Sequence, residues 1–300
     1  MYSTIKGITI PPIELHTPFN PYARYYIFNN NNYYYIHLMP NYGDASYWED
    51  RYKSCEDPTF DWLEDYSSLK TIISDLNINK ETGTVLNLGC GNSEMSEEMY
   101  DDGYHNIVNI DISHNVIKYM KERNKQRPKM TFCQMDVRDI KLESNSVDLA
   151  IDKSTIDALL CGEDSFTNVA KMIKEVQRVL KVGGYYMIIS YGNPESRVFH
   201  LKRKFLNFEI TIFTIKKDYE NDDGLGEKNN YVYLCKKLKG ANEASEKYYQ
   251  EVLSLMEKEE EEFEQKIIDE EMADKREDII NVDSKENNCT DCKEQNESKK

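Results

Sequence analysis

Val85–Glu94, VLNLGCGNSE, runs a short apolar strand directly into two glycines separated by one residue, which is how nucleotide-binding loops begin. A dinucleotide fingerprint carries a third glycine three positions on: the second admits a pyrophosphate and the third lets the next helix pack close. Here that third position is Glu94. A carboxylate in the first turn of the following helix would stand where backbone N–H groups and the positive end of the dipole otherwise receive phosphate. The loop also lacks the lysine of a P-loop. An anionic cofactor is therefore disfavoured, and one with a cationic reacting end and no phosphate, such as S-adenosylmethionine, fits better.

Outward from this loop, strands and helices alternate. The patterning predicts strands at Thr84–Leu88, Ile107–Asp111, Met130–Met135, Val147–Asp152 and Gly184–Ser190. Helices are predicted at Ser93–Tyr100, at Ser113–Asn124 and around Met172, Ile173, Val176, Val179 and Leu180. Such alternation means a parallel sheet covered by helices on both faces. The ending differs: Phe208–Ile215 and Tyr231–Cys235 are separated only by the polar loop Asp218–Asn230, so they should pair antiparallel. The expected fold class is α/β, a Rossmann-like seven-stranded sheet, mostly parallel, closed by a C-terminal antiparallel hairpin.

Upstream, YGDASYWEDRY places Tyr47, Trp48, Arg51 and Tyr52 at helical spacing, and Phe60–Leu76 repeats apolar residues along one face. Residues 1–41, with five prolines and the run Asn29–Asn32, read as an irregular arm. Residues 42–240 then form the domain, and 241–300 an acidic tail, partly helical or disordered. That tail holds 9 Lys/Arg against 20 Asp/Glu, a net of -11 out of the chain's -16. A mean hydropathy of -0.73 agrees with a segment outside the core. No apolar run is long enough to span a membrane, and no signal-peptide core opens the chain. The expectation is a soluble, cytoplasmic protein. The seven cysteines are scattered and odd in number, which argues against a disulfide framework. Cys289 and Cys292 form a CxxC without further ligands nearby, so no metal site is expected.

Three strand ends carry groups suited to one ligand. Gly89 and Gly91 allow the backbone to approach a cofactor closely. Asp111 ends the second strand, 22 residues after Gly89, where a carboxylate can accept hydrogen bonds from ribose hydroxyls. It could instead cap the next helix, a role for which Ser113 competes. Asp136 follows the third strand and can meet an adenine amino group, with Ile112 or Val137 against the ring. All lie on the carboxyl edge, where open α/β sheets bind ligands. Trp48, Tyr52 and Trp62 could cover a sulfonium, since aromatic faces attract cations, or could serve as packing.

VLNLGCGNS, NIDIS, MDVRD, IDKSTIDALL and VLKVGGYYMIIS together resemble the successive motifs of class I S-adenosylmethionine-dependent methyltransferases. YWEDRY and FDWLEDYSSLK are more specific, resembling the branch that includes the eukaryotic elongation factor 1A lysine methyltransferases, with YWxxRY and DKxTxDAL segments. The resemblance covers about residues 42–237. It implies cofactor contacts from Trp48, Tyr52, Trp62, Gly89, Asp111, Ile112, Asp136, Val137 and Lys153, and a protein substrate, a translation elongation factor. One departure stands out: Ser154 replaces the glycine of the family's DKGTLDAL.

Methyl transfer to an amine is an in-line displacement that needs alignment and exclusion of water. Asp152, Asp157 and Tyr191 fall near the acceptor side, and no one of them is singled out as the base. An aminopropyltransferase like spermidine synthase would need an acidic run after the fourth strand, where IDKSTIDAL stands. A nucleic-acid enzyme would need a basic footprint, and Lys202–Lys204 is one small patch on an acidic chain. A non-catalytic cofactor-binding interaction module is the remaining alternative, against which the intact glycines and aspartates argue.

Overall fold

The computed structural model describes residues 3–5, 8–10, 25–30, 33–38, 41–53, 59–216, 229–256, 258–259, 261–262 and 265. The glycine-loop strand, β5 (Val85–Leu88), is buried at every position. It pairs in parallel with β6 (Ile107–Asp111) and β8 (Val147–Lys153). Outside these, β7 (Met130–Gln134) joins β6 and β9 (Leu180–Ser190) joins β8, both in parallel. The expected hairpin is present: β10 (Phe208–Lys216) and β11 (Asn229–Lys237) run antiparallel, and β11 docks antiparallel on β9. The seven-stranded order is β10-β11-β9-β8-β5-β6-β7. Most of the loop between β10 and β11 lies outside the described residues.

Successive residues of a strand face opposite sides of a sheet, and the core divides accordingly. Val85, Ile107, Leu149 and Ile151 pack with α2 (Tyr66–Asp75), α3 (Met95–Asp101) and α4 (His114–Arg123) through Leu69, Ile73, Met99 and Met120. Leu86, Leu88, Ile110 and Ala150 pack on the other face with α6 (Ser165–Val179) and α7 (Pro194–Leu201), through Ile173, Val176 and Leu201. A further short helix, α5 (Thr155–Leu159), follows β8, and α1 (Ala45–Arg51) precedes α2.

Four regions depart from the expectations. The predicted helix at Phe60–Leu76 begins only at Tyr66: Asp65 is extended and its carboxylate accepts from the Ser68 N–H at 2.9 Å, so it caps α2 and leaves 60–64 as a loop. The arm, expected to be irregular, contains two hairpins, β1 (Ser3–Ile5) with β2 (Ile8–Ile10) and β3 (Tyr25–Asn30) with β4 (Tyr33–Leu38). Helices α5 and α7 were not anticipated, being too short for a clear period. Finally, the start of the acidic segment packs rather than trailing in solvent. Residues 241–256 are helical, and Tyr249, Val252 and Met256 are buried against Phe205 and Ala170. The remainder of the tail, with Cys289 and Cys292, lies almost wholly outside the described residues. No helix among those described is long and apolar enough to cross a membrane.

Candidate active site

The site is organised by the two glycines. Gly89 has φ +59°, and a Cβ there would collide with Thr155 Oγ1, whose hydroxyl donates to the Leu88 carbonyl at 2.9 Å. Gly91 has φ +51°, and a Cβ would stand 2.8 Å from the Tyr52 hydroxyl. Its N–H donates to Asp111 Oδ2 at 2.9 Å. The other oxygen of Asp111 accepts from the Ser113 N–H at 2.9 Å, while Ser113 itself caps α4 through the Val116 N–H. Asp111 therefore aligns the loop, and the capping role falls to Ser113. Burial pushes the Asp111 carboxyl above its usual range, against the opposing pull of the Ser113 and Gly91 N–H groups.

An aromatic group stands above Gly91. Tyr52 is buried, Trp48 stacks on it with centroids 6.2 Å apart, and Trp62 meets Trp48 edge-on at 6.4 Å. The Trp48 indole donates to the Tyr42 carbonyl at 2.7 Å, fixing the ring. Helix α1 has no buried residue of its own. It is fastened instead by Glu49, whose Oε2 accepts from Ser113 Oγ at 2.5 Å and from the Asn115 N–H at 3.3 Å. The Asn115 side chain also donates to the Glu49 carbonyl at 3.1 Å. One chain of bonds thus runs from α1 through Ser113 to Asp111 and Gly91.

Glu94 precedes α3 rather than lying in its first turn, and its carboxylate pairs with Arg123 of α4 at 2.9 Å. The acidic group that meets the start of α3 is Asp61, which accepts from Ser93 Oγ, from the Glu94 N–H at 3.3 Å and from Lys153 Nζ. The physical consequence for a phosphate is unchanged, because a carboxylate still occupies that place.

Beyond the third strand, the Asp136 carboxylate accepts from Arg138: from its N–H at 2.8 Å, Nε at 3.0 Å and Nη2 at 2.7 Å. Burial works against the ionised Asp136, and Arg138 outweighs it, leaving the pKa below the usual value. Val137 is buried with Leu88 and Ile110, and Ile112 is half-buried. Ser154 is left-handed, with φ +66°, which explains why glycine suits that place.

The acceptor-side groups are mostly committed. Asp152 is fully buried, accepting from the Thr155 and Ile156 N–H groups at 2.8 and 3.1 Å and from the Tyr186 hydroxyl at 2.8 Å. Asp157 pairs with Arg197 at 2.9 Å and accepts from Ser190 Oγ at 2.5 Å. Tyr191 is 56% exposed. Asp61 and Glu49 were not foreseen; each acts on residues more than thirty positions away in sequence. Among the described residues no group of three or more His, Cys, Asp or Glu side chains is placed to hold a metal.

The family model described as "Methyltransferase domain" matches residues 79–296. The eEF1A lysine and N-terminal methyltransferase of Mus musculus is 44% identical over 162 residues, covering 52% of this chain and 23% of that protein. The Homo sapiens protein of the same name is 43% identical over the same shares. The Mus musculus EEF1A lysine methyltransferase 4 is 31% identical over 168 residues, 53% of this chain and 65% of that one. The chain thus matches about a quarter of the length of the first two relatives. Among solved structures, Haemonchus contortus Phospholethanolamine N-methyltransferase 2, in complex with phosphomonomethylethanolamine and S-adenosylhomocysteine, superposes with a TM-score of 0.50 at 15% identity, over 69% of this chain and 63% of that one. That likeness concerns the fold.

Proposed function

The chain belongs to the methyltransferase domain family, and from that premise we propose that it is an S-adenosylmethionine-dependent protein-lysine N-methyltransferase whose substrate is translation elongation factor 1A. The observation that carries the cofactor assignment is the convergence at Gly91, whose N–H meets the Asp111 carboxylate while the Tyr52 hydroxyl occupies the space a Cβ would need. The residues present fit the cofactor. Gly89 and Gly91 give the turn its left-handed backbone, and Asp111, whose oxygens already accept from the Gly91 and Ser113 N–H groups, would accept from the ribose hydroxyls as well. Trp48, Tyr52 and Trp62 offer aromatic faces to a sulfonium. Asp136 and Val137 supply a polar group and an apolar wall for adenine, with Arg138 sharing the Asp136 carboxylate. Lys153 completes the set on the β8 side.

When bound, S-adenosylmethionine supplies an activated methyl group on a cationic sulfur with a neutral leaving group. The protein's task is then alignment and exclusion of water, without a covalent intermediate. The aromatic group covers the loop, and an amine entering an apolar, aromatic channel loses its proton more readily because burial disfavours the charged form. Asp152 and Asp157 are held by Tyr186, Arg197 and Ser190, so their part is to support β8, α5 and the strand end at Ser190. The elongation-factor substrate rests on the names of the relatives and on the resemblance carried by the YWEDRY and DKSTIDAL segments. Calorimetric titration with S-adenosylhomocysteine tests the cofactor: saturable one-to-one binding, weakened about tenfold to a hundredfold by Asp111→Ala, is expected. Absence of binding to the wild-type chain would overturn the assignment.

A further inference from the structure

We propose that β7, a free edge of the sheet, docks an extended acidic peptide as an added strand, a binding role separate from methyl transfer. Strand order leaves β7 with one neighbour, β6. The Met135 N–H donates to the Asp111 carbonyl at 2.9 Å. Backbone bonding alternates along a strand, so the N–H and C=O groups of Phe132 and Gln134 face outward without a strand partner. Natural edges are usually blunted by a charge or a proline on the strand itself. The β7 sequence, Met-Thr-Phe-Cys-Gln, has neither.

The charge for such a partner comes from α4. His114, Lys118 and Lys121 recur at helical spacing on its exposed side, and Lys125 follows just past the Asn124 cap. A groove lined by Lys118, Lys121, Lys125 and Gln134 continues past Lys121 and Lys125 along residues 130–133, so the lysines border the open edge. Glu122 is the one carboxylate among the described residues lining it, and it pairs with Lys125. Lys118 and Lys121 have no ion-pair partner among the described residues, on a chain whose net charge is -16. Unpaired lysines make burial of a neutral, apolar strand costly, whereas carboxylates would neutralise them. Successive residues of a strand face opposite sides of the sheet and the lysines flank one side, so the partner's acids should recur at every second position. A polynucleotide could meet the lysines but not the strand's hydrogen bonds, and the exposed Thr131 and Gln134 give its bases no ring to stack on.

Fluorescence anisotropy of a labelled peptide of alternating threonine and glutamate, titrated with the full chain, tests this. That peptide should bind saturably, at least about tenfold more tightly than one of the same composition with its glutamates in a single block, because only the first can pair and present every acid to α4. Lys118→Glu combined with Lys121→Glu should weaken the alternating peptide at least about tenfold, with the melting temperature of the free chain little changed. Amide exchange at Phe132 and Gln134 should slow on saturation with the peptide, while that at Thr131 and Cys133, which already bond β6, should not. No binding, equal affinity for the two peptides, or unchanged affinity in the variant would overturn the proposal. Unaltered exchange at Phe132 and Gln134 would do the same, since it marks a charge contact without an added strand. Tighter binding of single-stranded poly(uridine) than of the alternating peptide would assign the lysines to nucleic acid and overturn it too.

Discussion

Ser154 stands in a left-handed conformation between a fully buried Asp152 and the start of α5. A residue with a Cβ pays about 1–2 kcal/mol there, and the weak contact of its hydroxyl with Asp157, at 3.3 Å, returns little. Ser154→Gly should therefore raise the melting temperature by roughly 2–4 °C, read by calorimetry; a fall would mean that the hydroxyl matters more than the backbone. Asp152 yields a pH prediction. Burial pushes its pKa up to about 7, although Tyr186 and two N–H groups pull the other way. Between about pH 4 and 7 the native state keeps a proton that the unfolded chain has released, so this group's stabilising contribution, complete below that window, is lost as pH rises through it. The melting-temperature advantage of wild type over Asp152→Asn should consequently shrink between about pH 5 and pH 7.5, and a constant difference would count against it. Gly89, Gly91 and Asp111 were legible in the sequence because a strand end is a local feature. Asp61 was not, since its partners Ser93 and Lys153 lie 32 and 92 positions away in sequence.

Helix α1 shows how an element can be ordered without a buried face. Its own residues are all at least partly exposed, and the Glu49 carboxylate fastens it to the N-terminus of α4. Glu49→Ala should thus speed amide exchange across residues 45–51 and weaken S-adenosylhomocysteine binding, with little change in the melting temperature of the free protein. Unchanged exchange in α1 would show that the ring stack of Trp48 and Tyr52 suffices to hold it. The sheet strands were readable because their apolar runs are bounded by turns and alternate with helical periods. The start of α2 was misread because Phe60 and Leu63 fit the helical spacing, while the Asp65 cap and the pull of Asp61 towards Ser93 and Lys153 decide the backbone. Spacing reports a face that could be buried, and a cap decides where the helix begins.

At the scale of the molecule, the boundary lies beyond Gly240. Ala241, Ser245, Tyr249, Val252 and Met256 form one buried stripe on the C-terminal helix. The acidic composition of the segment as a whole masked this short packed beginning. Truncation after Gly240 exposes Phe205 and removes the large buried side chains of Tyr249, Val252 and Met256, each worth roughly 1.5–3 kcal/mol. The melting temperature should drop by on the order of 10 °C or more, and an unchanged value would return the helix to the tail. The alternating αβ order and the closing hairpin were open to reading because each is written in consecutive residues, whereas this docking depends on Phe205 and Ala170, distant in sequence. The central claim, that this fold serves lysine methylation of elongation factor 1A, is tested most directly by peptide mass spectrometry of that factor after incubation with the full chain and S-adenosylmethionine. The account predicts methyl groups on a lysine side chain, absent with Asp111→Ala; unmodified factor, from a chain shown to bind S-adenosylhomocysteine, would contradict it.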